Sequence, residues 1–90
     1  MKTIKEYLLD KKCVTPQTAY LTRNAEVVGV QDTLKGLVLL AVVDPTETLT
    51  DLRTFKVCSI EETIYADNLK YIGNFQSIVG VQHVVEYTNN

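Results

Sequence analysis

The 90-residue chain has no tryptophan, one histidine, two cysteines, two prolines and four glycines, and each scarcity removes a class of function. Cys13 and Cys58 lie 45 positions apart with no Cys-x-x-Cys pair and no histidine cluster. Neither a disulfide framework nor a zinc site is indicated, and a single bridge between the two is left open. The glycines Gly29, Gly36, Gly73 and Gly80 are scattered singly, so no GxGxxG or GxxxxGK[ST] cradle for phosphates exists. Asp44, Glu47 and Asp51 share a segment with three threonines but lack the calcium-loop spacing and its central glycine. No catalytic residue, metal or cofactor is therefore expected. The longest early apolar stretch is Tyr7-Leu8-Leu9, too short for a signal-peptide core, and no run approaches the roughly 20 apolar residues of a membrane span. A reduced, soluble, cytoplasmic protein without membrane contact is the expectation.

Hydrophobic residues at 46 % and charged residues at 22 % describe one globular domain covering residues 1–90. A domain this small buries only about 60 % of the surface its unfolded chain exposes, so pairing with a second copy is an accessible source of stability, and a homo-oligomer is expected. Nine basic against eleven acidic side chains give a net charge of −2, which disfavours wholesale phosphate neutralisation. The charge is uneven: successive thirds read +2, −1 and −3. A basic beginning and an acidic end could pair head to tail between copies.

The dominant hydrophobic period is two, with β-branched and aromatic enrichment, and Gly, Asn, Asp and Pro punctuate short runs. Strands are expected over residues 3–9, 17–22, 26–31, 37–43, 52–59, 69–75 and 78–87. Arg23-Asn24 reads as a turn, and Gly36 as the positive-φ residue of a hairpin. Leu37 to Val43 is apolar throughout, which predicts a central strand covered on both faces. Gly73 inside its strand predicts a bulge or a close approach. Ser59 followed by Glu62 resembles a capping box, making residues 59–65 the one candidate for a short helical turn. Residues 88–90 are expected to fray. No internal repeat, low-complexity stretch or linker is evident. The expected fold is all-β: a small antiparallel sandwich or partly open barrel of six or seven strands.

His83 is the only imidazole, and its face also carries Val79, Val81, Val85 and Tyr87, which reads as packing. A Cys13 or Cys58 nucleophile paired with His83 lacks any local signature of an orienting group or oxyanion hole. Arg53, Phe55, Lys70, Tyr71 and Phe75 form the one basic and aromatic set suited to stacking bases and steering phosphates.

Val42-Val43-Asp44-Pro45, Arg53-Thr54-Phe55, Tyr71-Ile72-Gly73-Asn74-Phe75-Gln76 and His83-Val84-Val85-Glu86, in that order, resemble a small phage and prophage family of unknown function. The match spans nearly the whole chain. Two departures are Cys58-Ser59-Ile60-Glu61-Glu62 in place of a Gly-Thr-Gly-like turn, and Gln82 where an aromatic would precede the histidine. The resemblance implies a phage origin and a small β-rich domain, with no established activity to carry over; an accessory protein acting in the host cytoplasm is the type expected of a short, acidic phage domain without chemical motifs. Binding to a host or defence protein is the expected function. The alternatives are a nucleotide or single-stranded nucleic-acid binder and a structural virion component. Arg53, Lys70, Tyr71 and His83 are the expected contact residues.

Overall fold

The computed structural model describes residues 1–88. Alternation and punctuation produce seven strands: β1 (Thr3–Leu9), β2 (Gln17–Thr22), β3 (Glu26–Thr33), β4 (Gly36–Val43), β5 (Thr50–Ser59), β6 (Leu69–Ser77) and β7 (Gly80–Tyr87). They pair antiparallel in two sheets, β1-β4-β3 and β2-β5-β7-β6, packed as a sandwich that does not close into a barrel. Leu37, Leu39, Ala41 and Val43 of β4 face Phe55 and Val57 of β5 and Val84 of β7 across the core, all of them buried. Among the described residues no helix is long and apolar enough to cross a membrane.

Three expectations change. The segment after β5 contains no helix. Glu62 accepts the Ser59 N–H at 3.1 Å, one half of a capping box, but its own N–H goes to the Ser59 carbonyl at 3.3 Å as a turn bond, not to the hydroxyl. Glu61 between them has φ 67°, the left-handed region, and this stops the turn before a helix can propagate. The last strand begins at Gly80 instead of Ile78, because Ile78 and Val79 are the turn itself. Finally β4 is central, as its sequence predicts, but its outer face is covered only in part: Val38 is buried there and Leu40 and Val42 are half-buried, while Ile4 and Leu8 beside them are exposed. Asn24 has φ 63°, as the Arg23-Asn24 turn requires. Of the residues expected to fray, Thr88 donates its N–H to Asn68 at 3.0 Å, and residues 89–90 lie outside the described chain.

A repeat is present that the side chains conceal. The β3–β4 and β6–β7 hairpins have the same register under a 44-residue offset, from Thr33↔Gly36 beside Ser77↔Gly80 to Glu26↔Val42 beside Lys70↔Glu86. Each carries one bulge at the same place, between Val27 and Gly29 and between Tyr71 and Gly73. Each closes on a hydroxyl residue whose side chain donates to the carbonyl of a positive-φ glycine at 2.8 Å: Thr33 to Gly36 and Ser77 to Gly80. Opposite faces are turned inward, however. Val30 and Leu39 pack inward in the first hairpin, whereas their counterparts Asn74 and His83 face outward in the second. Inverting the faces inverts the apolar pattern, so only the turn residues and bulge glycines match in sequence.

The edges of the two sheets meet on both sides. At β3/β6, Gly73 approaches so closely that a Cβ there would sit 3.3 Å from Val30 Cγ2, with the Gly29 Cα at 4.0 Å. At β1/β2, side chains substitute for a ladder. Tyr7 Oη shares a 2.7 Å bond with Thr22 Oγ1 and accepts the Thr22 N–H at 3.1 Å. The Gln17 amide pairs with both Asp10 backbone groups, accepting the N–H at 2.8 Å and donating to the carbonyl at 2.9 Å.

Gly73→Val is expected to lower stability by about 1–3 kcal/mol through overpacking against Val30. Gly29→Ala, whose Cβ meets nothing within 4 Å, is expected to shift it by less than about 1 kcal/mol, in the stabilising direction. Urea unfolding midpoints of the two variants check both.

Candidate functional site

The residues expected to form one contact face separate into three environments. Arg53 follows the inward parity of Phe55 and Val57 along β5, so its guanidinium enters the end of the sandwich opposite the hairpin turns. There it grips Glu86, donating from Nε at 2.5 Å and from Nη2 at 2.7 Å, and its Nη1 reaches the Ala25 carbonyl at 2.6 Å. Glu86 is buried, and two parallel bonds from one planar group are the geometry that lets a carboxylate survive there. Phe55 and Phe75 lie in the core. The basic and aromatic face suited to stacking nucleotides is therefore not assembled: its arginine is paired and its phenylalanines are covered. Lys70 stands opposite Glu86 in register and is exposed, apart from the others.

Tyr71 and His83 do come together. Both are on the outer face of the four-stranded sheet, with Tyr71 Oη 2.9 Å from His83 Nδ1 and the rings 5.8 Å apart. Asn74 donates from Nδ2 to Tyr71 Oη at 3.2 Å, which ties the three side chains together. Cys58 is His83's cross-strand neighbour on β5, yet it is buried, and that burial pushes its thiol pKa up, with Glu62 adding to the rise. A thiol held protonated is a poor nucleophile. Both cysteines are free. Among the described residues, no group of three or more His, Cys, Asp or Glu side chains is placed to hold a metal ion.

Lys56 lies buried on the same outer face, because the connection from β5 to β6 must return along the sheet over β7. Its ammonium pairs with Glu62 at 2.7 Å and donates to the Val14 carbonyl at 2.7 Å. This contact, then the Ser59 N–H, holds the Glu62 carboxyl below the usual carboxylate range.

The largest recess is one that sequence reasoning missed. A cavity of about 740 Å³ opens between the sheets at the hairpin end, floored by Phe75 and bounded by Lys11, Val14 and Asp32 on one side and Ile78 and Val79 on the other. Lys11 and Asp32 pair across 3.2 Å, leaving the lining mostly apolar. Ile78 is 104 % exposed and Val79 79 %, both on a turn where polar residues usually sit. The signal was in the sequence: Ser77-Ile78-Val79-Gly80 matches Thr33-Leu34-Lys35-Gly36 as a hairpin turn, but apolar residues there read as strand.

Three outcomes are expected. Arg53→Ala should cost about 3–5 kcal/mol by leaving the Glu86 carboxylate buried and unpaired, with Arg53→Met plus Glu86→Leu recovering most of it in denaturant melts. Iodoacetamide should label Cys13 in the folded protein and reach Cys58 only on unfolding, read by peptide mass spectrometry. Glu62's folded pKa lies below its unfolded value, so its contribution to stability is complete above the usual carboxylate range and is lost as pH falls through the folded value. Stability measured from neutral pH down to about pH 3 should thus fall less steeply in Glu62→Gln than in the wild type. No protein-family model, curated protein or solved structure matches this chain.

Proposed function

We propose that this chain is a non-catalytic protein-binding module whose contact site is the recess at the hairpin end, with the Ile78-Val79 turn as its anchor. The supporting observation is that recess: about 740 Å³, apolar, and flanked by aliphatic side chains held in water at no benefit to the isolated chain. Of the two lysines at its rim Lys11 is paired with Asp32, so the attraction for a partner is apolar burial with the Lys12 ammonium beside it. The partner class, a host or defence protein met in the host cytoplasm, follows from the resemblance to phage and prophage proteins. A nucleotide or single-strand binder loses its main support, because Arg53 is committed to Glu86 and both phenylalanines face the core.

The tagged protein should retain one stoichiometric protein from bacterial lysate, unchanged by nuclease, as read by mass spectrometry. Ile78→Asp should weaken that capture by about ten- to a hundredfold, the equivalent of about 1.5–3 kcal/mol for one buried aliphatic side chain. Its unfolding midpoint should stay within about 0.5 kcal/mol of the wild type. Retention of nucleic acid without a protein partner, or capture indifferent to Ile78→Asp, would sink the proposal.

A further inference from the structure

Hydrogen bonding along β6 has a parity that its hairpin fixes. Ser77 and Gly80 are partners across the turn formed by Ile78 and Val79, so they exchange both backbone bonds, and the exchange then falls on alternate residues. Phe75 therefore bonds to β7, while Asn74 and Gln76 turn their N–H and C=O groups to the other side. That side is the edge of the four-stranded sheet. No turn, loop or cross-sheet backbone bond among the described residues reaches either residue, and both are exposed.

The other edges carry the devices that keep strands from pairing with a stranger. Lys5 and Glu6 put charge on β1, and the Tyr7 phenol occupies the Thr22 N–H of β2. On β3 the Val27/Gly29 bulge is followed by Asp32, and on the first half of β6 Lys70 is followed by the Tyr71/Gly73 bulge. The close approach of Gly73 to Val30 guards β6 only as far as that glycine. From Asn74 to Ser77 the edge has no charge, no proline and no bulge. At the matching place in the first hairpin stands Asp32, a carboxylate.

We infer that the partner docks by adding a strand to β6 over Asn74–Ser77, as an extended segment that sets an apolar side chain into the recess and an acidic one beside Lys12. The inference rests on the proposed binding site and specifies the chemistry of what fills it. Phe75, Gln76 and Ser77 all line the recess, so edge and recess are continuous. Alternate side chains of an added strand fall on the Phe75 side of the sheet, where the recess lies. A second copy does not fit this role: paired edge to edge through its own β6, it would keep its own Phe75 in its own core and leave the recess empty. Charge selects the acidic neighbour. Lys11 is already paired with Asp32, whereas Lys12, also at the rim, has a part in none of the ion pairs among the described residues.

Selection of displayed random dodecapeptides on the purified full chain tests this, followed by affinity measurements on synthetic copies of the enriched peptides. Enriched sequences should alternate apolar and polar residues, with Asp or Glu beside an apolar one. N-methylation of every second peptide residue should weaken binding about tenfold, and of the residues between by less than about threefold, because an added strand uses the N–H groups of one edge only. Gln76→Pro should also weaken binding about tenfold at an unchanged urea midpoint, since the N–H it removes takes no part in the β6–β7 ladder. Gln76→Ala, which keeps that N–H, should bind like the wild type. If Gln76→Pro does not fold, the N-methyl pattern decides alone. Lys12→Glu should weaken binding about tenfold, and binding indifferent to it overturns the acidic residue. Peptides released by Ile78→Asp but indifferent to Gln76→Pro keep the recess as the contact site and overturn the added strand. Peptides released by Gln76→Pro but indifferent to Ile78→Asp overturn the recess instead. No enriched peptide, or N-methyl effects without alternation, overturns the inference.

Discussion

Four of the seven strands, β1, β3, β2 and β6, have a hydrogen-bonding neighbour on one side only, and the structure depends on how those edges are kept from pairing elsewhere. At β3/β6 the solution is steric. Two glycines let the backbones approach, and Val30 fills the space a side chain on Gly73 would take. At β1/β2 it is chemical: the Tyr7 phenol and the Gln17 amide occupy donors and acceptors that a sheet ladder would otherwise use. Both devices leave the molecule a sandwich, with two open ends and two outer faces, and these are the surfaces available for function.

The two ends differ in what closes them. At one, Arg53 joins β5 to Glu86 of β7 and to the Ala25 carbonyl just before β3, tying both sheets together through a single guanidinium. That arrangement consumes the charge that would otherwise make Arg53 a phosphate contact. At the other end no such clasp forms. The Lys11–Asp32 pair stays at the rim, and the space between the sheets is open to solvent above Phe75. The ends thus divide the work: one carries a clasp that ties the sheets, and the other, which the proposed function assigns to a partner, is left open.

The outer faces divide in the same way. The return of the chain from β5 to β6 shields Cys58, Val85 and the Lys56–Glu62 pair. The other sheet has no such return, because the segment between β1 and β3 is spent on β2, which extends the four-stranded sheet; Ile4 and Leu8 stay exposed on its outer face, although Val38 of β4 is buried there.

The strand positions, the bulge at Gly73, the Gly36 hairpin and the central place of β4 were all legible in the sequence, because each depends on near neighbours: alternation sets the faces and turn chemistry sets the reversals. Tyr71 and His83 were each singled out in the sequence, but on different faces; the hydrogen bond that joins them across β6 and β7 required the register. Other features were not local. Whether Arg53 meets solvent or Glu86 depends on a strand more than thirty residues away. The repeat stayed hidden because its two copies turn opposite faces inward, so identical backbone geometry demands inverted side-chain patterns. The sequence by itself determined an all-β chain with these strands and turns. Only the tertiary structure decided which end closes, which outer face the chain crosses and where the recess opens, since these depend on strand order, and a period of two specifies faces but never neighbours.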